Sequence, residues 1–278
     1  MKPFIILLQK FYTEHKRSSL PWRKTRDLYQ ILLSEIMLQQ TQVSRVLIKY
    51  IEFLNTFPTI QTLADAPLRQ VLIAWQGLGY NRRAKFLHEA SKQIVSATKA
   101  ELSDYTFLNS LPGVGQSTAG AILAFTENKP VAFIETNIRA VILHHFFKNE
   151  KKVSDVKIKE LLEKILLHLP KDFGPRDFYY AMYDYGTVLK QTLGKDRKTL
   201  HSKSVHYTKQ SRFEGSRRQL RAFILKTFLR MKSQKNFKTK LITQVLKNKP
   251  KSLCMYTRID VASIIEDLTQ ESMLPLIR

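Results

Sequence analysis

Cysteine is almost missing from this chain: its 278 residues include only Cys254. That excludes an intrachain disulfide framework and any zinc site or cluster held by several thiolates. Glycine and proline are scarce as well, at 9 and 10 residues, which leaves few places to interrupt a helix. No apolar run approaches the roughly eighteen residues needed to cross a bilayer. The apolar stretch near the N-terminus stops at Leu8, too short for a signal-peptide core and followed by no small-residue cleavage site. Acidic residues are the last shortage. Against 46 Lys+Arg stand 23 Asp+Glu, a net charge of +23 and a pI near 10.0.

What is present is a globular composition, 44% apolar and 10% aromatic, ample for a hydrophobic core. A positive surplus of this size points to a polyanionic partner, either nucleic acid or an anionic membrane face. The expectation is an intracellular protein, cytoplasmic and nucleoid-associated or nuclear. Apolar residues recur at three- and four-residue spacing almost throughout, so the reading is all-α. The spacing predicts helices over 4–15, 27–38, 41–55, 60–64, 67–74, 80–98, 104–109, 116–127, 135–147, 155–168, 176–189, 216–231, 239–247 and 257–268. Charge is unevenly spread. Residues 186–278 hold 21 Lys+Arg and 6 Asp+Glu, a net of +15, whereas residues 1–185 hold 25 and 17, a net of +8. Between about 190 and 216 the apolar periodicity lapses into Lys, Ser, Thr and His, which reads as a basic linker before a small helical C-terminal domain.

Four places could carry chemistry. Leu111-Pro112-Gly113-Val114-Gly115-Gln116-Ser117 is a glycine turn opening a helix, whose free amides and positive dipole end suit a phosphate; an ordinary turn fits it as readily. Glu35 lies in Ile31-Leu32-Leu33-Ser34-Glu35-Ile36-Met37-Leu38-Gln39-Gln40-Thr41, on a helix apolar nearly all round. Desolvation there raises a carboxyl pKa toward the range of a proton donor at neutral pH; the plain alternative is a helix-edge Glu reaching solvent. Glu135, in Phe133-Ile134-Glu135-Thr136-Asn137, is either functional or a first-turn acid favoured by the helix dipole. Trp75-Gln76-Gly77-Leu78-Gly79-Tyr80-Asn81-Arg82-Arg83 sets an aromatic and two arginines on a glycine turn, as suits stacking on or wedging between bases, or simply linking two helices. The seven His and one Cys show no metal-ligand spacing, so no metal site is expected.

The order Pro21-Trp22-Arg23, Ser34-Glu35-Ile36-Met37-Leu38-Gln39-Gln40-Thr41-Gln42-Val43, Gly77-Leu78-Gly79-Tyr80 and Leu111-Pro112-Gly113-Val114-Gly115 resembles the helix–hairpin–helix DNA glycosylases. Within them it is most similar to the adenine-specific mismatch glycosylases of the MutY family, over about residues 20 to 190. The resemblance implies a six-helix barrel domain with the hairpin over 28–132 and a second helical domain from 1–27 and 133–189. A basic linker over 190–215 and a C-terminal helical DNA-binding domain over 216–278 follow. It implies a DNA duplex with a mismatch or oxidised guanine as partner, a monomer and no membrane. Glu35 becomes the acid that protonates the adenine ring, and Arg23 approaches the flipped base. Gln39 belongs to the same block, Gln40 and Thr41 enter the base stack, and Leu78 and Tyr80 meet the opposite base. Gly113 and Gly115 grip a phosphate, with room for a monovalent cation at the hairpin. Arg83 and, in the C-terminal helix, Arg217, Arg218 and Arg221 are expected on DNA. Ser117 stands where the endonuclease III relatives carry a Schiff-base lysine, so base removal by water is expected without efficient strand cleavage.

Three departures from the family stand out. Its Asp-Gly-Asn, whose carboxylate stabilises the sugar cation, is here Glu135-Thr136-Asn137. The extra methylene moves the charge by about 1.5 Å, and misplacement of that order can cost about 10²-fold. Its four-cysteine iron–sulfur loop should begin at residue 190, where Lys190 stands, so no cluster is expected. Its Nudix-like lesion-checking domain is not expected here, since the residues after 216 read as helical and lack its acidic motif. The expected activity is monofunctional excision of adenine opposite 8-oxoguanine or guanine. The alternatives are a thymine or uracil mismatch glycosylase of the same superfamily and a catalytically weak DNA-binding protein.

Overall fold

The computed structural model describes residues 1–194, 212–231 and 237–275. Its regular elements are helical. In chain order they are α1 (Lys2–His15), α2 (Leu28–Leu38), α3 (Val43–Thr56), α4 (Ile60–Asp65), α5 (Leu68–Ala74), α6 (Arg82–Ser96), α7 (Lys99–Leu102) and α8 (Tyr105–Ser110). There follow α9 (Gln116–Glu127), α10 (Thr136–Phe146), α11 (Asp155–Leu166), α12 (Pro175–Thr192), α13 (Arg217–Arg230), α14 (Phe237–Asn248) and α15 (Arg258–Gln270). Each predicted helix has its counterpart. The reading missed α7, a single turn closed by a capping box in which Thr98 and Glu101 satisfy each other's amides. It also stopped α12 too early, because the helix runs on through Lys190 to Thr192. Most of the expected basic linker, residues 195–211, lies outside the described residues. Among the described residues no helix is long and apolar enough to cross a membrane.

The described residues gather into two compact units. One comprises those of Met1–Gln39 and Ala97–Lys209, the other those of Gln40–Ser96 and Gln210–Arg278. In the first unit α2 is deeply buried, with Ile31, Leu32, Leu33, Ile36 and Met37 at most 1% exposed; each such side chain contributes about 1.5–3 kcal/mol of burial. It packs on α9, while α12 packs on α1 and α10. Rings fix the α9–α12 contact, with Phe125 stacked on Tyr180 at 4.3 Å. The buried guanidinium of Arg176 ties the start of α12 to the carbonyls of Phe125, Arg23 and Thr25.

In the second unit α4 packs on α6, and α13 packs on α14, α15 and α5. Trp75 and Phe53, both fully buried, meet edge to face at 5.9 Å. Arg69 of α5 donates to the carbonyls of Leu229 and Met231 at 2.8 and 3.0 Å, satisfying acceptors that the end of α13 leaves open.

Candidate active site

Glu35 sits in the last turns of α2, where the apolar periphery of the helix brings its carboxyl among buried side chains while the residue keeps partial access to solvent. Burial, and then the negative charge of Glu135, push its pKa from near 4.5 up to about 8, against an opposing pull from Arg23. A carboxylic acid with that pKa carries its proton at neutral pH and can donate it.

Glu135 is the N-cap of α10. The Asn137 and Ile138 amides donate to its Oε1 at 2.7 and 3.1 Å, and the Thr136 hydroxyl to its Oε2 at 3.0 Å. The same capped carboxylate is the charge that acts on Glu35. The longer Glu side chain folds back onto its own helix start, and three donors hold it there.

The hairpin between α8 and α9 is tied to the residue before this acid. Gly113 takes a φ of +77°, a left-handed conformation that favours glycine. Gly115 is the N-cap of α9, and a Cβ placed there would meet nothing within 4 Å. The first amides of α9 have no side-chain cap. Ser117 donates its hydroxyl to the carbonyl of Ile134, the residue before Glu135, so the hairpin helix and the acid turn are stitched together. Gln39 lies 3.4 Å from both the Gly113 carbonyl and the Thr118 hydroxyl, on the same hairpin.

Around the acids stand residues that the sequence did not single out for this role. Asp184 of α12, 3% exposed, takes Arg23 Nη1 and Nη2 at 2.6 and 2.8 Å and Arg17 Nε at 2.5 Å. Arg23, expected at the flipped base, is thus bound to Asp184 through both terminal nitrogens and lies over the Tyr180 ring at 4.5 Å; it acts on Glu35 through its charge. Tyr183 has its phenol pushed well up by burial and by the charges of Glu35 and Glu135, which places it beside both acids. Lys190 donates to Asn137 Oδ1 at 2.8 Å. Burial holds the Lys190 pKa below the usual lysine range, while Glu135 pulls it upward. The legible signal for Asp184 was an acid flanked by Tyr183 and Tyr185 on a helix rich in aromatic residues; nothing in the spacing announced Tyr183.

In the second unit the turn over 76–83 is built around Arg83. Only 7% exposed, Arg83 donates to Thr41 Oγ1 at 3.0 Å and to the carbonyls of Leu78 and Gly79 at 3.0 and 3.1 Å. It lies between the Trp75 and Tyr80 rings, 5.4 Å from each. Arg83, expected on DNA, is turned inward, and its Nη2 serves the Thr41 hydroxyl and two carbonyls that a tight turn otherwise leaves open. Leu78 is buried too, at 3%, whereas Tyr80 is 42% exposed. Gln40 and Tyr80 both adopt positive φ, 56° and 48°, an uncommon backbone state for residues with a Cβ. Arg217 and Arg221 also depart from expectation. Arg217 pairs with Asp267 at 2.9 Å and Arg221 with Glu271, so their charges hold α13 to α15. Arg218 reaches the Tyr80 hydroxyl at 3.4 Å.

Residues 33–167, which contain Glu35, the hairpin and Glu135, match the HhH-GPD superfamily of base excision DNA repair proteins. These residues therefore carry an HhH-GPD superfamily domain. An adenine DNA glycosylase of Buchnera aphidicola subsp. Baizongia pistaciae is 34% identical over 187 residues, covering 67% of this chain and 52% of that protein. One from Mycolicibacterium smegmatis is 42% identical over 178 residues, covering 63% and 60%. The chain spans about half the length of the curated relatives it matches. A thermostable thymine-DNA glycosylase superposes with a TM-score of 0.56 and 24% identity, over 67% of this chain and 86% of that one. A trapped endonuclease III–DNA covalent intermediate gives 0.54 and 17%, over 64% and 81%. The expected all-α helix–hairpin–helix glycosylase fold is therefore the fold of this chain.

Proposed function

We propose that this chain is a monofunctional DNA glycosylase that removes adenine mispaired with 8-oxoguanine or guanine from duplex DNA. The observation that carries the reading is the Glu35 carboxyl with its pKa raised to about 8 beside Glu135. Glu35 gives its proton to a ring nitrogen of the adenine, and the electron pair of the N-glycosidic bond leaves with the base. The sugar is left as an oxocarbenium cation, which the Glu135 carboxylate stabilises. Water adds to C1′ and releases a proton, giving an abasic site and free adenine. Ser117, with its hydroxyl on the Ile134 carbonyl, supplies no amine for a Schiff base. The adenine glycosylase relatives support adenine as the base.

No iron–sulfur cluster enters this reading. The chain has a single cysteine, Cys254, in the second unit, and a cluster of the expected kind needs four thiolates. At position 190 an ammonium group is bonded to Asn137. That hydrogen bond ties α12 to the Glu135–Asn137 turn.

The test incubates the protein with duplexes holding A opposite 8-oxoguanine, A opposite G, T opposite G and U opposite G, followed by alkali. Cleavage of the adenine strand is expected, with Glu35→Gln at least about 10²-fold slower. Cleavage of only the T or U strands selects the thymine or uracil reading. Binding without cleavage of any strand selects the DNA-binding reading. Undiminished cleavage by Glu35→Gln removes the mechanism.

A further inference from the structure

Helix α13 carries positive charge on two opposite faces, and the protein uses them differently. Arg217 and Arg221 are bound to Asp267 and Glu271 of α15. Lys226 and Arg230 each lie nine residues further along, about 2.5 helical turns, and so on the other side of the helix. Both are exposed, as is Lys240 of α14. Among the described residues no carboxylate pairs with any of the three. Together with Phe223, Gln244 and Asn248 they line a groove of about 500 Å³ to which no acidic side chain among the described residues contributes.

The fold gives these cations no structural task. Apolar faces hold the two helices together, with Ile224, Leu225, Phe228, Leu241 and Val245 at most 3% exposed. A cation at a helix C-terminus often serves the last carbonyls, but on α13 Arg69 already occupies those of Leu229 and Met231. Lys240, Gln244 and Asn248 recur every fourth residue, a polar stripe along one side of α14. Three like charges gathered around one groove repel each other, and a negative occupant relieves that cost more fully than solvent screening does. Cations lined up with amide donors and one aromatic ring match a chain of phosphates carrying sugars and bases.

We propose that the α13–α14 groove binds the sugar–phosphate backbone of a nucleic acid strand, through Lys226, Arg230 and Lys240. This rests on the glycosylase reading only for the kind of polyanion. The test uses the full chain, an undamaged short duplex and fluorescence anisotropy over a series of KCl concentrations. The triple variant Lys226→Gln, Arg230→Gln, Lys240→Gln is expected to lower the slope of log K against log[salt] by about 0.9 for each phosphate no longer neutralised, so by about 2 to 3. A charge-matched variant on exposed lysines of the first unit, Lys159→Gln, Lys164→Gln, Lys171→Gln, is expected to change it far less. An unchanged slope in the groove variant, or an equal fall in the matched one, overturns the proposal. So does a fall seen instead in Arg217→Gln, Arg221→Gln. Because the duplex offers nothing to excise, failure here leaves the excision test standing, and the reverse holds as well.

Discussion

A carboxyl group that keeps its proton up to about pH 8 must show itself in rate and in stability alike. Above about pH 8 Glu35 loses the proton it donates, so single-turnover excision is expected to fall up to tenfold per pH unit there. Glu135→Gln removes the second cause of the raised pKa while keeping an oxygen that can accept from the Asn137 and Ile138 amides. Its pH–rate profile should therefore break at lower pH as well as run slower; an unmoved break would mean that burial alone sets the value. Stability moves with the same proton. Between near 4.5, where the unfolded chain ionises, and about 8, where the folded one does, the native state holds the extra proton. Folding stability thus declines as pH rises through that window, and the melting temperature of Glu35→Gln should gain on the parent's from pH 5 to 8. The apolar surroundings of Glu35 were legible, because a helix apolar all round has to be buried. What faces it was not. Spacing along α12 tells which residues share a side of the helix, and says nothing of Tyr183 and Lys190 meeting the Glu135 turn.

Helix α12 holds the first unit's acids in place through one close approach. A Cβ on Gly186 would come within 2.7 Å of the Asn137 Cβ and 2.9 Å of its carbonyl oxygen. Gly186→Ala gains helix propensity of about 1 kcal/mol but overpacks by about 1–3 kcal/mol. We expect a melting temperature lower by a few degrees, with excision slowed because Glu135 moves with Asn137. Calorimetry and single-turnover kinetics check the two parts. The helices themselves were readable from periodicity, down to ends within a few residues. The single turn α7 was not, because four residues cannot show a period of 3.6. Nor was the extension of α12 through Lys190-Gln191-Thr192, whose polar side chains look like linker until Asn137 is seen to receive one of them.

The net charge of +23 is a sum over cations with different work. Sequence could locate the surplus in the last third of the chain, but pairing across helices decides which charges remain available. Glu271 alone takes Arg82 and Arg221, and its hydrogen bond from Arg82, then that from Arg221, outweigh burial and hold its carboxyl below the usual range. Such a group stabilises the fold above its unfolded pKa and loses that contribution as pH falls through its native value. Glu271→Gln is expected to cost roughly 1 kcal/mol at neutral pH, a difference that closes in acid; thermal melts at pH 7 and pH 3 measure it. Each of the two units is built from residues far apart in sequence. Arg69 meets carbonyls 160 and 162 positions later. On the ribosome, then, helices α3 to α6 emerge well before α13 exists to cover α5. At roughly 5–20 residues per second, that surface waits on the order of ten seconds for its partner, so the synthesis of α13 is the step that ends the exposure of α5 to aggregation.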